Sequence, residues 1–344
     1  MKENYILSID TLGSETKIDD ICQGLNLSLE RNIKYKFLIF GNKREIESSL
    51  KKYKLLSKVS EIVHCDQKVD MTDIPSDVLK NKENSSMAKT LGSVASGNSD
   101  GALSFGNTGA LMTFSLLMLK TLKEIKRPAI ASIWPNLEGD SIILDLGANT
   151  KQDSRYLIDN ALLGSSLASI LFKIKNPSIG LLNVGIEENK GNEELKIASE
   201  KLRDLHNKAI INYEGFVEGN DISIGKTNVV VTDGFTGNIA LKTAEGTASM
   251  IQTNLKKAFV SSMLSKIGYF FSSIAIKSMR ERLDPRVHNC GILMGLNSLV
   301  VKCHGESEYK GVSYAADIMY SLLSNNVNER IEEYIGKMKD NLRK

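Results

Sequence analysis

Cysteine and proline are scarce in this chain, at four and five of 344 residues. Cys22, Cys65, Cys290 and Cys303 are scattered and form no C-x-x-C pair. With no secretion signal at the N-terminus, that pattern predicts reduced structural thiols rather than a disulfide framework. His64, His206, His288 and His304 show no metal-ligand spacing, and the expected metal set is none. Charge of one sign is also lacking: the net charge is +3, with no arginine-rich tract or aromatic-and-basic ladder, which argues against nucleic acid as a partner. No run approaches the roughly 18 apolar residues that a bilayer span needs. The expected location is the cytoplasm. The shortage of proline and the absence of a low-complexity linker give no clean domain cut. Residues 1–344 read as a single domain with two lobes.

What is present is alternation. Apolar runs at Tyr5–Ile9, Lys36–Phe40, Gly101–Ser104, Ala129–Ile133, Ser141–Asp145, Ser178–Asn183, Asn228–Val231 and Leu299–Lys302 read as strands. Amphipathic segments such as Ile18–Asn32, Arg44–Tyr53, Gly109–Ile125 and Asn192–Asn207 lie between them. Strands alternating with helices predict an α/β fold, a mostly parallel sheet covered on both faces. Ligands in such sheets sit where strand C-termini give way to loops.

Four turns share one grammar: an apolar run, a cluster of Gly, Asn and Thr, then a helix or strand. They are 103–110, 143–149, 180–188 followed by 190–192, and 232–246. In the last, Val229–Val231 runs into Thr232-Asp233-Gly234-Phe235-Thr236-Gly237-Asn238, and helical spacing resumes. A helix that opens on glycines can turn free N–H groups toward an anion. The same residue types also serve as ordinary caps and turns. Both readings are open at this point. Gly219–Thr227 imitates a P-loop but has five residues between its glycines and precedes a strand, so it is set aside. No G-x-G-x-x-G follows an early strand.

These motifs in this order strongly resemble the bacterial phosphate acyltransferases, the PlsX family. The resemblance rests on Gly106-Asn107-Thr108-Gly109-Ala110, Leu144–Asn149, Gly180–Gly185, Lys190-Gly191-Asn192, Gly215–Gly219 and Thr232–Gly246. Asn84-Ser85-Ser86-Met87, Asp284-Pro285-Arg286 and Lys302-Cys303-His304-Gly305 add to it. The chain departs from the family at Asp10-Thr11-Leu12-Gly13-Ser14-Glu15, at 150–153 and at His288-Asn289-Cys290. The resemblance implies a two-lobed α/β/α sandwich like isopropylmalate dehydrogenases and phosphotransacetylases. It also implies a homodimer and no cofactor. The implied reaction is attack of inorganic phosphate on the thioester of a long-chain acyl carrier protein. The products are acyl phosphate, an early intermediate of phospholipid synthesis, and free carrier protein.

That chemistry needs positioning and oxyanion stabilisation more than an activated nucleophile. The catalytic candidates are Lys190, Asn238, Lys242 and His304, the last as proton donor to the departing thiolate. Candidates for holding phosphate or substrate are Asn107, Thr108, Gly109, Asn149, Asn192, Asp233, Gly234, Thr236 and Gly237. Residues 255–283 form a basic amphipathic stretch: Leu255, Phe259, Met263, Ile267, Phe270, Phe271 and Ile274 recur at helical spacing among six lysines and arginines. Its stem is expected in a dimer interface. Its centre, Ile267 and Tyr269-Phe270-Phe271, is expected at a membrane surface or beside a membrane-bound glycerol-3-phosphate acyltransferase. The alternatives are a phosphotransacetylase acting on acyl-coenzyme A, a decarboxylating dehydrogenase of the same fold, and a non-catalytic membrane scaffold.

Overall fold

Valine, isoleucine and leucine fill successive strand positions in this chain, and such runs are stable only where both faces of a sheet are covered. The computed structural model describes residues 4–31, 34–151, 153–283 and 290–343. The Asp284-Pro285-Arg286 motif and His288-Asn289 lie outside the described residues.

Eleven strands form one sheet: β1 (Tyr5–Asp10), β2 (Tyr35–Gly41), β3 (Ser60–His64), β4 (Gly101–Ser104), β5 (Ala129–Asn136), β6 (Gly139–Leu144), β7 (Ser178–Leu182), β8 (Asn212–Val217), β9 (Val229–Val231), β10 (Cys290–Met294) and β11 (Leu299–Cys303). Their order is β3-β2-β1-β4-β11-β10-β5-β6-β9-β7-β8. The first five are mutually parallel, and so are the last four. The three central pairings, β11–β10, β10–β5 and β5–β6, are antiparallel. The two parallel halves therefore run in opposite directions. The sheet is mostly parallel, as alternation predicts; β3, β8 and β10 are additions to the strands read from the sequence.

Alternate side chains enter two cores. Leu7, Ile9, Leu103, Leu144, Val231 and Val301 pack on one face. Ala102, Ile130, Ile143, Val230, Leu293 and Val300 pack on the other. The second face lies under helices α5 (Ser86–Ala95), α6 (Thr108–Leu119) and the start of α10 (Gly234–Val260). The segment read as one helix over Gly109–Ile125 stops at Leu119. Lys120 takes a positive φ of 59°, and the Leu122 N–H donates to the Gly295 carbonyl, so the following apolar residues pack beside β10.

The stretch 255–283 is two helices rather than one. α10 ends at Val260, and α11 (Met263–Leu283) starts after Ser261-Ser262. The Ser262 hydroxyl accepts from the Ser265 N–H at 3.1 Å, a serine cap that starts the second helix. The break between the two helices therefore lies at Ser261-Ser262, and Ile267–Phe271 lie within α11. Phe259 and Tyr269 meet across the hairpin with ring centroids 5.4 Å apart. Ile267, Tyr269, Phe270 and Phe271 are exposed, the two phenylalanines at 75% and 80%. No helix among the described residues is long and apolar enough to cross a membrane.

Candidate active site

Glycine-rich turns end in helix caps here. Asn107 caps α6 through an Ala110 N–H bond to Oδ1 (3.0 Å), and its Nδ2 donates to the carbonyls of Asp70, Met71 and Asp73. Asn192 caps α8 (Glu193–Asn207) by accepting from the Leu195 N–H. Asp233 caps α10: Oδ1 accepts from the Phe235 and Thr236 N–H groups, and Oδ2 from the Thr236 hydroxyl at 2.7 Å. The Gly234 N–H donates to the Asn149 carbonyl and the Gly237 N–H to the Asp233 carbonyl. The first-turn donors of α10 are thus satisfied within the protein, which decides between the two readings in favour of an ordinary cap. A carboxylate already occupies the positive end of the helix.

Beside this cap lies a polar hub on Asp145, which is fully buried. Its carboxylate accepts from the N–H groups of Ile130, Gly147, Ala148 and Asn149 and from the Tyr156 hydroxyl. The Asn149 amide donates to Tyr156, to the Pro128 carbonyl and to Asp145, so the side chain is held as a strut. The Gly237 backbone sits so close that a Cβ there would come within 2.0 Å of the Asp145 carbonyl. Glycine is required to let α10 lie against this loop.

At the C-terminal ends of β1, β4 and β11 a second polar group is buried. Asp10 accepts from the hydroxyls of Ser86 (2.5 Å) and Ser104 (2.7 Å). Ser104 in turn accepts from the Gly106 N–H, fixing the 104–109 turn. Burial pushes the Asp10 carboxyl up, against those hydrogen bonds. Lys302 donates to the carbonyl oxygens of Phe105 and Cys303, and burial pulls its ammonium down to about 8. His304 follows on the next loop. Burial lowers its pKa from the usual imidazole value, and the charges of Glu245, Lys242, Lys302 and Glu306 act on it. Its Nδ1 accepts from the Glu306 N–H at 3.2 Å, which leaves the neutral ring's proton on Nε2.

Lys242 of α10 lies near enough to His304 for its charge to act on the imidazole, and a Cβ on the adjacent Gly305 would stand 3.8 Å from the Phe105 carbonyl, beside the turn that carries Asn107 and Thr108. Lys242 is exposed and paired with Glu245 at 2.7 Å. Asn238 is exposed one turn earlier and lies over Gly147. Lys190 is exposed on the loop after β7, its N–H donating to the Glu187 carbonyl. Gly109 packs against Pro75. Asp10, Ser86, Ser104 and Lys302 are not among the candidates read from the sequence, although Ser86 and Lys302 lie in motifs that carry the resemblance. The signal for Lys302 is a lysine inside an apolar strand, Leu299-Val300-Val301-Lys302-Cys303.

Known proteins share this architecture. The fold is that of the phosphotransacetylase class: it matches a phosphotransacetylase from Streptococcus pyogenes with a TM-score of 0.59, at 16% identity over 96% of this chain and 95% of that one. A branched-chain phosphotransacylase from Enterococcus faecalis matches with a TM-score of 0.58, at 14% identity over 92% and 99%. Sequence narrows the class. The model of the "Fatty acid synthesis protein" family matches residues 5–330. Proteins named phosphate acyltransferase from Azorhizobium caulinodans and Mesorhizobium japonicum are each 44% identical, over 96% and 95% of this chain and 93% and 92% of theirs. The chain belongs to this family, the phosphate acyltransferases, and is an acyltransferase enzyme.

Proposed function

We propose that the acyl donor is the thioester of a long-chain acyl carrier protein and that the acyl phosphate formed feeds phospholipid synthesis. The observation that supports a reaction of this kind at this place is the convergence of Lys242 and His304 beside the 104–109 turn. A phosphate oxygen attacks the thioester carbonyl carbon, forming the C–O bond of the acyl phosphate. The tetrahedral intermediate collapses, the C–S bond breaks, and the electron pair leaves on sulfur. The thiolate takes up the proton that the hydrogen phosphate releases on becoming the acyl phosphate. His304, neutral and protonated on Nε2, donates a hydrogen bond to the departing sulfur. Cations offset the charge developing on oxygen. We assign Lys242 and Asn238 to one wall of the cleft, Thr108 and Gly109 to the facing turn, and Lys190 as a further cation. Asn107, Asn149, Asn192 and Asp233, with Gly234, Thr236 and Gly237, hold the backbone that presents them.

The hairpin of α10 and α11 carries Phe270, Phe271, Met263 and Leu264 in the open beside exposed Lys256, Lys257 and Lys266. We assign its stem to contact with a second copy of the chain and its apolar end to a lipid surface. A long-chain acyl phosphate partitions into lipid, which makes release there favourable. The deciding assay compares palmitoyl carrier protein with acetyl-coenzyme A as donor, reading acyl phosphate by hydroxylamine trapping. A clear preference for acetyl-coenzyme A overturns the reading in favour of a phosphotransacetylase.

A further inference from the structure

Lys302 takes no part in the reaction as assigned above, yet its placement is costly. Only 8% of the residue is exposed. Its ammonium has three donors, and the acceptors it meets, the carbonyls of Phe105 (3.4 Å) and Cys303, are neutral. Among the described residues no carboxylate forms an ion pair with it. Asp10 attracts it from farther off, with both carboxylate oxygens already taken by Ser86 and Ser104. A buried cation without a contacting counter-ion costs several kcal/mol.

Its neighbours raise that cost. Lys242 of α10, held by Glu245, adds a charge that is felt at both Lys302 and His304. Lys302 and His304 lie two residues apart, Lys242 acts on both from α10, and of the three Lys242 has a contacting carboxylate in Glu245; an anion beside Lys302 would offset the charge that remains.

We propose that Lys302 is the cation on which the attacking inorganic phosphate docks, at the floor of the cleft between the 104–109 turn and α10, with Lys242 above it. The assignment rests on the reading that phosphate is a substrate. It places the nucleophile away from the capped start of α10. The other source of a phosphoryl group is the phosphodiester of a phosphopantetheinyl donor, which the test separates.

The experiment uses the full chain with Lys302→Met and Lys302→Gln; the glutamine keeps N–H donors for the two carbonyls without the charge. Lys226→Met, on the surface pair with Asp221, serves as a control for lost charge. Phosphate binding is measured by calorimetry without acyl donor, and KM is measured separately for phosphate and for acyl carrier protein. We expect both Lys302 variants to weaken phosphate binding about tenfold or more, equivalent to about 1.4 kcal/mol. The donor KM should stay within about twofold, and the control should match wild type. Phosphate binding retained in the glutamine variant overturns the proposal, as does a rise in donor KM alone. If wild type makes no acyl phosphate from any thioester but binds phosphate through Lys302, the acyl-transfer reading fails and the docking site stands.

Discussion

Tyr156 donates its hydroxyl to Asp145 Oδ2 at 2.6 Å, and the Asn149 amide donates to the same hydroxyl at 2.7 Å. This contact pins the loop after β6 to α7 (Ser154–Leu171) and sets the surface on which α10 rests. Burial and the adjacent carboxylate push the phenol far up, so it stays a donor. Tyr156→Phe should therefore destabilise the protein by about 1–3 kcal/mol, the range for leaving a buried polar group without its partner. The midpoint of urea unfolding, at unchanged slope, measures this; an unshifted midpoint contradicts the role.

The capped start of α10 gives a second expectation. Asp233→Ala removes three acceptor contacts and should cost about 0.5–2 kcal/mol. Gly237→Ala should be worse, because its Cβ would meet the Asp145 carbonyl at 2.0 Å. Thermal melting of the two variants, ranked against each other, is the check.

Much of this was legible in advance, and some was not. Val229–Val231 and Leu299–Cys303 read as buried strands because apolar β-branched runs in an alternating chain have one stable environment. The helix starts at Asn107, Asn192 and Asp233 were visible as polar residues before apolar periodicity. Whether such a residue caps its own helix or leaves N–H groups for a ligand is decided by the φ and ψ of the turn, which residue type alone does not set. Lys302 escaped because it sits in an otherwise apolar strand, and Asp10 and Ser104 lie 94 residues apart. The Ser261-Ser262 break was readable as a cap signal but was masked by continuous apolar spacing on either side.

Lys302 also predicts a pH dependence of stability. Its folded pKa, about 8, lies below the ordinary 10.5, so the unfolded chain binds more protons between those values. Wild type should gain stability relative to Lys302→Met as pH rises from 8 to about 10.5, by on the order of 3 kcal/mol, and gain nothing below 8. Comparison with the variant cancels the opposite trend from the buried Cys303, Cys290 and tyrosines. Asp10, Lys242, Glu245 and His304 face the same region and are common to both proteins. Chemical denaturation at pH 7, 8, 9 and 10 gives the difference directly.

Activity tests the outer wall. Lys190→Ala and Asn238→Ala should each lower kcat/KM for acyl phosphate formation by about tenfold or more, the loss of one charge-stabilising contact. Near-wild-type rates in both, with melting unchanged, would remove these residues from the reaction.

The hairpin offers a physical readout as well. Replacing Phe270 and Phe271 together by serine should release the protein from anionic vesicles on sedimentation while leaving its melting temperature unchanged, since both rings are exposed. Sedimentation velocity on wild type and variant reports whether each self-associates.

α10 spans 27 residues, about 40 Å of continuous helix. Its first turns bear on the Asp145 loop and present Lys242 to the cleft, while its far end carries the exposed hairpin. One continuous helix therefore joins the close contact at Gly237 to the exposed apolar hairpin, so the residues assigned to the reaction and those assigned to a lipid surface stand on the same rigid element.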